Sequence, residues 1–173
     1  MSETVSVPHQ LTSHTKLLHK VALVQNGQVL LLHRSTDAKS RPGCWDLPGG
    51  NSEWPAQVQQ PTADLHQLDI SREIKEETNL DVPSDYFQLP ALVLFRSFFE
   101  PQAQVYTIIC GWHVRAELVS SLAVIHQGDV VCSHEHQGYA WSDLSGLAAY
   151  DFGGERGEFV RSIAELALGQ TRP

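Results

Sequence analysis

The chain has 173 residues, 42% of them hydrophobic, and a formal net charge of −8. That length fits one domain with a full core, and the acidity argues against a long nucleic acid as partner, since such binders carry a basic footprint. No apolar run reaches membrane-spanning length and Met1 to Pro8 lacks the regions of a signal peptide, so no membrane partner is expected and the cytoplasm is the expected setting.

Taken in order, residues 1–14 are polar and include Pro8, and are expected to form a flexible arm ahead of a single domain over 15–173. Lys16 to Gln25 and Val29 to His33 are rich in aliphatics and flank Asn26-Gly27, a strong signal for a β-hairpin. Arg34 closes the second strand ahead of a polar loop, Ser35 to Gly43. Cys44 to Leu47 reads as a short buried segment ending in the turn Pro48-Gly49-Gly50. An irregular loop around Trp54 to Pro61 then leads to a helix over 63–78, with Thr62 or Asp64 as its cap and Ala63, Ile70 and Ile74 on its core-facing stripe.

Downstream, Phe87 to Phe99 and Val105 to Val114 are expected to pair as antiparallel strands, and Glu117 to His126 to add further sheet. A His-rich stretch leads to a strand bearing Trp141, and Asp143 to Ala149 forms a turn. Gly157 to Leu168, with Phe159, Ile163, Leu166 and Ala167 at helical spacing, is an amphipathic helix closed by Gly169. The pattern predicts an α/β fold, a mixed central sheet between two helical layers.

Cys44, Cys110 and Cys132 form no Cys-x-x-Cys pair and are expected to be reduced thiols. Cys132, His134 and His136 alternate, so on a strand they would share a face and could hold zinc if a fourth ligand were near.

The chemistry concentrates in Arg72-Glu73-Ile74-Lys75-Glu76-Glu77-Thr78-Asn79-Leu80. On a helix Glu73, Glu76 and Glu77 project from one side, and each like-charge pair at that spacing costs about 0.2 to 0.5 kcal/mol. A cluster beside a buried face therefore calls for a cation. Carboxylate oxygens suit a hard one, Mg²⁺ first, which commonly bridges protein acids to a substrate's phosphates.

Gly50, the unbroken block Arg72 to Glu77 and the closing Leu80 together resemble the Nudix hydrolase signature. The chain departs from it in having thirteen residues, Asn51 to Ala63, where the family has five, and in carrying Asp64 for Glu and Asn79 for Gly. The asparagine is a mild change, because Asn tolerates the left-handed conformation of a helix cap. The resemblance implies a Nudix-like α/β/α sandwich that hydrolyses a diphosphate bond in a nucleoside diphosphate linked to another moiety. It implies Mg²⁺, or Mn²⁺ in its place, on Glu73, Glu76 and Glu77, with Arg72 bracing these carboxylates and Asp64.

By the same resemblance Arg34 would grip the diphosphate, Gly50, Glu53 and Trp54 would belong to the substrate site, and Glu135 would act as extra ligand or general base. Asp69 would be a supporting acid or a surface charge. A homodimer would fit the family, though no residue decides it. Two other readings share the fold: an isoprenoid-diphosphate isomerase using Cys44 or Cys110, and a nucleotide-binding module with an impaired site.

Overall fold

The computed structural model of the chain describes residues 14–53, 55, 59–122, 124–126 and 128–170. The expected arm, residue 14 apart, lies outside these. Strands β1 (Thr15–Gln25) and β2 (Gln28–Arg34) form the anticipated hairpin. Asn26 and Gly27 both take positive φ, 50° and 74°, which the tight primed turn between twisted strands requires.

The two strands are buried on both sides. Val21, Leu23, Leu30 and Leu32 pack with Ile70 and Ile74 of helix α1 (His66–Thr78). Their neighbours Ala22, Val24, Val29 and Leu31 point the other way, onto Val160, Ile163 and Ala164 of helix α2 (Glu158–Gln170). Continuous aliphatic runs are what such doubly covered strands need. The result is an α/β/α sandwich.

Its sheet runs β3-β2-β1-β5-β4, with β3 (Trp45–Asp46), β4 (Leu92–Glu100) and β5 (Val105–Arg115), while β6 (His136–Ser142) pairs with the other edge of β2. β1 and β5 are parallel and the remaining pairs antiparallel, so the sheet is mixed.

One irregularity positions the functional residues. β1 and β2 pair only beside their turn, at Val24 with Val29 and Gln25 with Gln28, and then part. The chain after β3 fills the gap along β1: Val21 N–H donates to Pro48 O and His19 N–H to Gly50 O, both at 2.9 Å, and Ser52 N–H donates to Leu17 O at 2.8 Å. The Pro48-Gly49-Gly50 turn is thereby fixed inside the sheet.

Several expectations need correction. Helix α1 starts at His66 rather than 63; its N-cap is Leu65 with no side-chain cap, and Ala63 is exposed. Thr62 bonds Gln60 O instead, and Asp64 takes φ 56°, a turn conformation that ends the loop rather than capping the helix. Phe87 to Phe99 is not one strand: 3₁₀ turns at Ser84–Tyr86 and Leu89–Ala91 precede β4, with Pro90 inside the second, where its fixed φ suits a turn.

The stretch Glu117 to His126 adds no strand among its described residues. Val119, Leu122 and Ile125 are buried at spacing three, not two, and Gln25 bonds both peptide groups of Ile125 through its side chain. Helix α2 runs through Gly169 to Gln170, and Leu166 faces out while Ala164 and Leu168 face in. Asn79 does cap α1 as expected, at φ 61° with its N–H on Lys75 O. Among the described residues no helix is long and apolar enough to cross a membrane.

Candidate active site

A cleft of about 930 Å³ opens where the Gly49-Gly50 turn faces α1. Glu73 and Glu77, one helical turn apart, both line it. Glu77 is buried, and its Oε2 accepts a 2.7 Å bond from the Gly49 amide. Gly50 lies so close to Glu73 that a Cβ there would collide with the carboxylate. The glycine pair lets main chain approach both acids, as side chains would not.

Glu76 behaves differently. Its side chain is 58% exposed and turned to Arg72, whose Nη1 donates to it at 3.0 Å. The same guanidinium reaches Glu73 at 2.9 Å, Glu53 at 3.5 Å and Asp69 at 3.8 Å. Arg72 thus braces the acids as the signature implies, but the partner expected at Asp64 is replaced by Glu53 and Asp69. Asp69 leans inward instead of standing as a plain surface charge.

The other half of the cleft is a buried charge cluster. Asp46 is fully buried, and its Oδ2 receives Lys20 Nζ at 3.2 Å, Arg34 Nη1 at 3.1 Å and Arg41 Nη2 at 2.5 Å, while Oδ1 accepts the Leu47 amide. Burial alone would raise this carboxyl; Lys20, Arg41 and Arg34 outweigh it and hold the group below the usual carboxylate range. Lys20 also donates to Leu47 O at 3.0 Å and Gly49 O at 2.6 Å, so one ammonium joins the cluster to the glycine turn.

Searches with the sequence find no matching family model and no matching curated protein. Comparison of folds does find relatives. A MutT protein from Methanosarcina mazei Go1 superposes with TM-score 0.62 at 19% identity, covering 95% of this chain and 100% of its own. A MutT Nudix hydrolase from Burkholderia pseudomallei gives 0.58 at 18%, over 88% and 97% of the two chains, and a Nudix hydrolase from Nitrosomonas europaea 0.61 at 16%, over 91% of each. This is the Nudix hydrolase fold.

In this Nudix fold Arg34, Gly50, Glu53 and Glu135 all line the cleft with Glu73 and Glu77. Trp54 lies outside the described residues. Cys44 is half-buried and Cys110 buried, and neither lines the cleft. The alternating Cys132, His134 and His136 do not share a strand face: β6 begins only at His136, and His134 is exposed while His136 is buried.

The fit to a metal can be judged from the acids themselves. Burial pushes the Glu77 carboxyl up to about 7, against the opposing pull of Lys20 and the Gly49 amide. Glu73 is also raised, by burial first, although Arg72 opposes it. Two partly desolvated carboxylates side by side at the cleft, raised despite Arg72 and Lys20, suit a hard divalent cation that would favour their charged forms. The expected triad is nevertheless not assembled. With Glu76 on Arg72, no three His, Cys, Asp or Glu side chains among the described residues form a ready-made metal site.

Sequence reasoning missed Lys20, Arg41 and Asp46. A signal existed for two of them: a lysine in the middle of an aliphatic strand and an aspartate in a short buried segment both demand partners once buried.

Proposed function

We propose that the chain is a Mg²⁺-dependent pyrophosphohydrolase, with Mn²⁺ as a substitute metal, that cleaves the phosphoanhydride of a nucleoside diphosphate linked to another moiety. The observation that carries this reading is the pairing of Glu73 and Glu77 against the Gly49-Gly50 turn in a cleft shared with Arg34 and Lys20. A bound divalent cation supplies Lewis acidity, polarising a phosphoryl oxygen and lowering the pKa of water.

The chain's own residues supply the remainder. Glu73 and Glu77 would hold the cation, and Glu76 would join them if it gave up Arg72. Arg34 uses Nε on Ser40 O and Nη1 on Asp46, and Nη2 has no partner among the described residues, so it can take a phosphate oxygen. Asp46 orients that guanidinium, and charge developing on the leaving phosphate is met by a fixed donor. Glu135, exposed at the cleft with its carbonyl bonded to the Ser35 amide beside Arg34, takes the proton of the attacking water in this reading.

The retained carboxylate pair favours turnover over an impaired binding module. Three free cysteines suit a reducing compartment, in keeping with a cytoplasmic enzyme. The test is a Mg²⁺-dependent release screen over nucleoside triphosphates, dinucleoside polyphosphates, ADP-ribose and nucleotide sugars, with Glu77→Gln as the blank. Release above the blank from at least one class is expected; none from any class overturns the reading.

A further inference from the structure

Directly behind Glu77 stands a group that the proposed chemistry leaves unused. The side chain of His136 is entirely buried, and its Nε2 has no hydrogen-bond partner among the described residues. That nitrogen lies 3.9 Å from Oε1 of Glu77, beyond a direct hydrogen bond and with no other acceptor engaged. An orphaned buried polar atom is costly, typically about 1 to 3 kcal/mol, and native structures rarely keep one without a use.

The local backbone shows why the two side chains meet. The last carbonyls of a helix lack intrahelical donors. Here the chain leading into β6 supplies them: the Val131 amide bonds Thr78 O at 2.9 Å and the Ser133 amide bonds Glu77 O at 3.3 Å. The His136 amide then closes a turn onto Ser133 O at 3.1 Å, and the imidazole is delivered beneath the Glu77 carboxylate. One segment therefore grips both the main chain and the side chain of Glu77.

We propose that His136 is the positioning residue of Glu77: Nε2–H donates to Oε1 when the cleft takes a divalent cation, fixing the carboxylate's orientation with the Gly49 amide on its other oxygen. Gly49 holds Oε2 at 2.7 Å, so a second donor on Oε1 leaves the carboxylate a single rotamer with its remaining lone pairs toward the cleft. Such outer partners of a ligand commonly change metal affinity tenfold to a hundredfold, on the order of what is expected here. The inference rests on the proposed function, because it needs Glu77 to bind metal.

The experiment measures Mn²⁺ binding by electron paramagnetic resonance on the substrate-free chain, with melting of the metal-free protein alongside. His136→Leu is expected to weaken Mn²⁺ binding about tenfold or more while the metal-free melting temperature holds or rises, since the orphaned donor is gone. His136→Gln, which keeps an N–H, is expected to recover most of the affinity. A leucine variant that binds like wild type overturns the role of His136 alone; so does equal loss in both variants with matching loss of melting temperature. Wild type that binds no Mn²⁺ overturns the proposed function itself. If the leucine variant does not fold, ¹⁵N-histidine wild type decides: Mg²⁺ should shift the Nε2 resonance of His136, and an unmoved resonance overturns the proposal.

Discussion

The amide of Gly49 donates a 2.7 Å hydrogen bond to Oε2 of Glu77, tying the turn that follows β3 to the last turn of α1. Gly49 can do this because it takes φ 120°, a conformation that side-chain-bearing residues rarely adopt, and because a Cβ would strike the His19 carbonyl. Gly49→Ala should therefore lose roughly 1 to 3 kcal/mol of stability from backbone strain alone. It should also lower metal affinity, because the turn must shift away from the His19 carbonyl and carries its amide off Oε2. Urea unfolding and Mn²⁺ titration of the purified variant check the two effects separately.

The three signature glutamates should not be equivalent. Glu73 and Glu77 face the cleft and Glu76 faces Arg72 and solvent. Glu73→Gln and Glu77→Gln are each expected to lower kcat by on the order of a hundredfold or more, and Glu76→Gln by distinctly less. Steady-state kinetics at saturating Mg²⁺ give the ranking. A Glu76 variant as damaged as Glu77→Gln would mean that the carboxylates regroup on loading more completely than proposed.

Asp46 holds three cations on one oxygen. Its neutral replacement leaves Lys20, Arg34 and Arg41 facing each other in a buried site, and removing one partner of a buried ionic cluster costs about 3 to 5 kcal/mol. Asp46→Asn should show a loss of that size in urea midpoint. Arg34→Gln, which removes only one of three cations at the more open edge, should lose less stability but raise KM.

The acid side of the stability curve should carry the mark of His19. Its Nδ1 accepts the indole N–H of Trp112 at 3.1 Å, which leaves the proton on Nε2, 3.0 Å from Ser52 Oγ. Burial first, and the neighbouring His66 next, lower its pKa to about 4. Between that value and the ordinary 6.5 the unfolded chain takes a proton that the folded chain refuses. The contribution is therefore full above about pH 6.5, lost as pH falls toward 4, and flat below, amounting to ~3 kcal/mol. Asp46, depressed when folded, adds a further loss at still lower pH. Burial also lowers the pKa of His136 to about 4, which adds a loss of the same sign, and raises that of Glu77 to about 7, which offsets part of it. Urea midpoints from pH 8 to 4 should therefore differ between wild type and His19→Asn by the His19 share alone, with a smaller acid-side loss in the variant.

Much of the fold was legible because local chemistry and global packing agree. Asn26-Gly27 between aliphatic runs can hardly be other than a hairpin, and Ile70 and Ile74 set the buried face of α1. The candidate site was legible only where its residues are near in sequence. Glu73 and Glu77 share a helix, whereas Lys20, Arg34, Arg41 and Asp46 come from two strands, a loop and a third strand, and no periodicity links them. For Glu76 helical spacing gives the direction of the side chain but not which neighbour, cation or arginine, claims it, and in this structure Arg72 does. The start of α1 and the path of 117–126 were misread for a related reason: Leu65 caps without a side-chain bond, and Gln25 stands in for a strand beside Ile125.

The parallel pairing of β1 with β5 joins Thr15 through Val24 to partners about ninety positions later in the chain, Tyr106 through Arg115. During synthesis, the hairpin and α1 emerge long before the strand that completes the middle of the sheet. Until then the aliphatic flank of β1 has no neighbour, and the nascent protein must avoid sticking to others through it. Assembly of the binding site should accordingly be a late, all-at-once event, and slow refolding with a tendency to aggregate at high concentration is the expected behaviour of this topology.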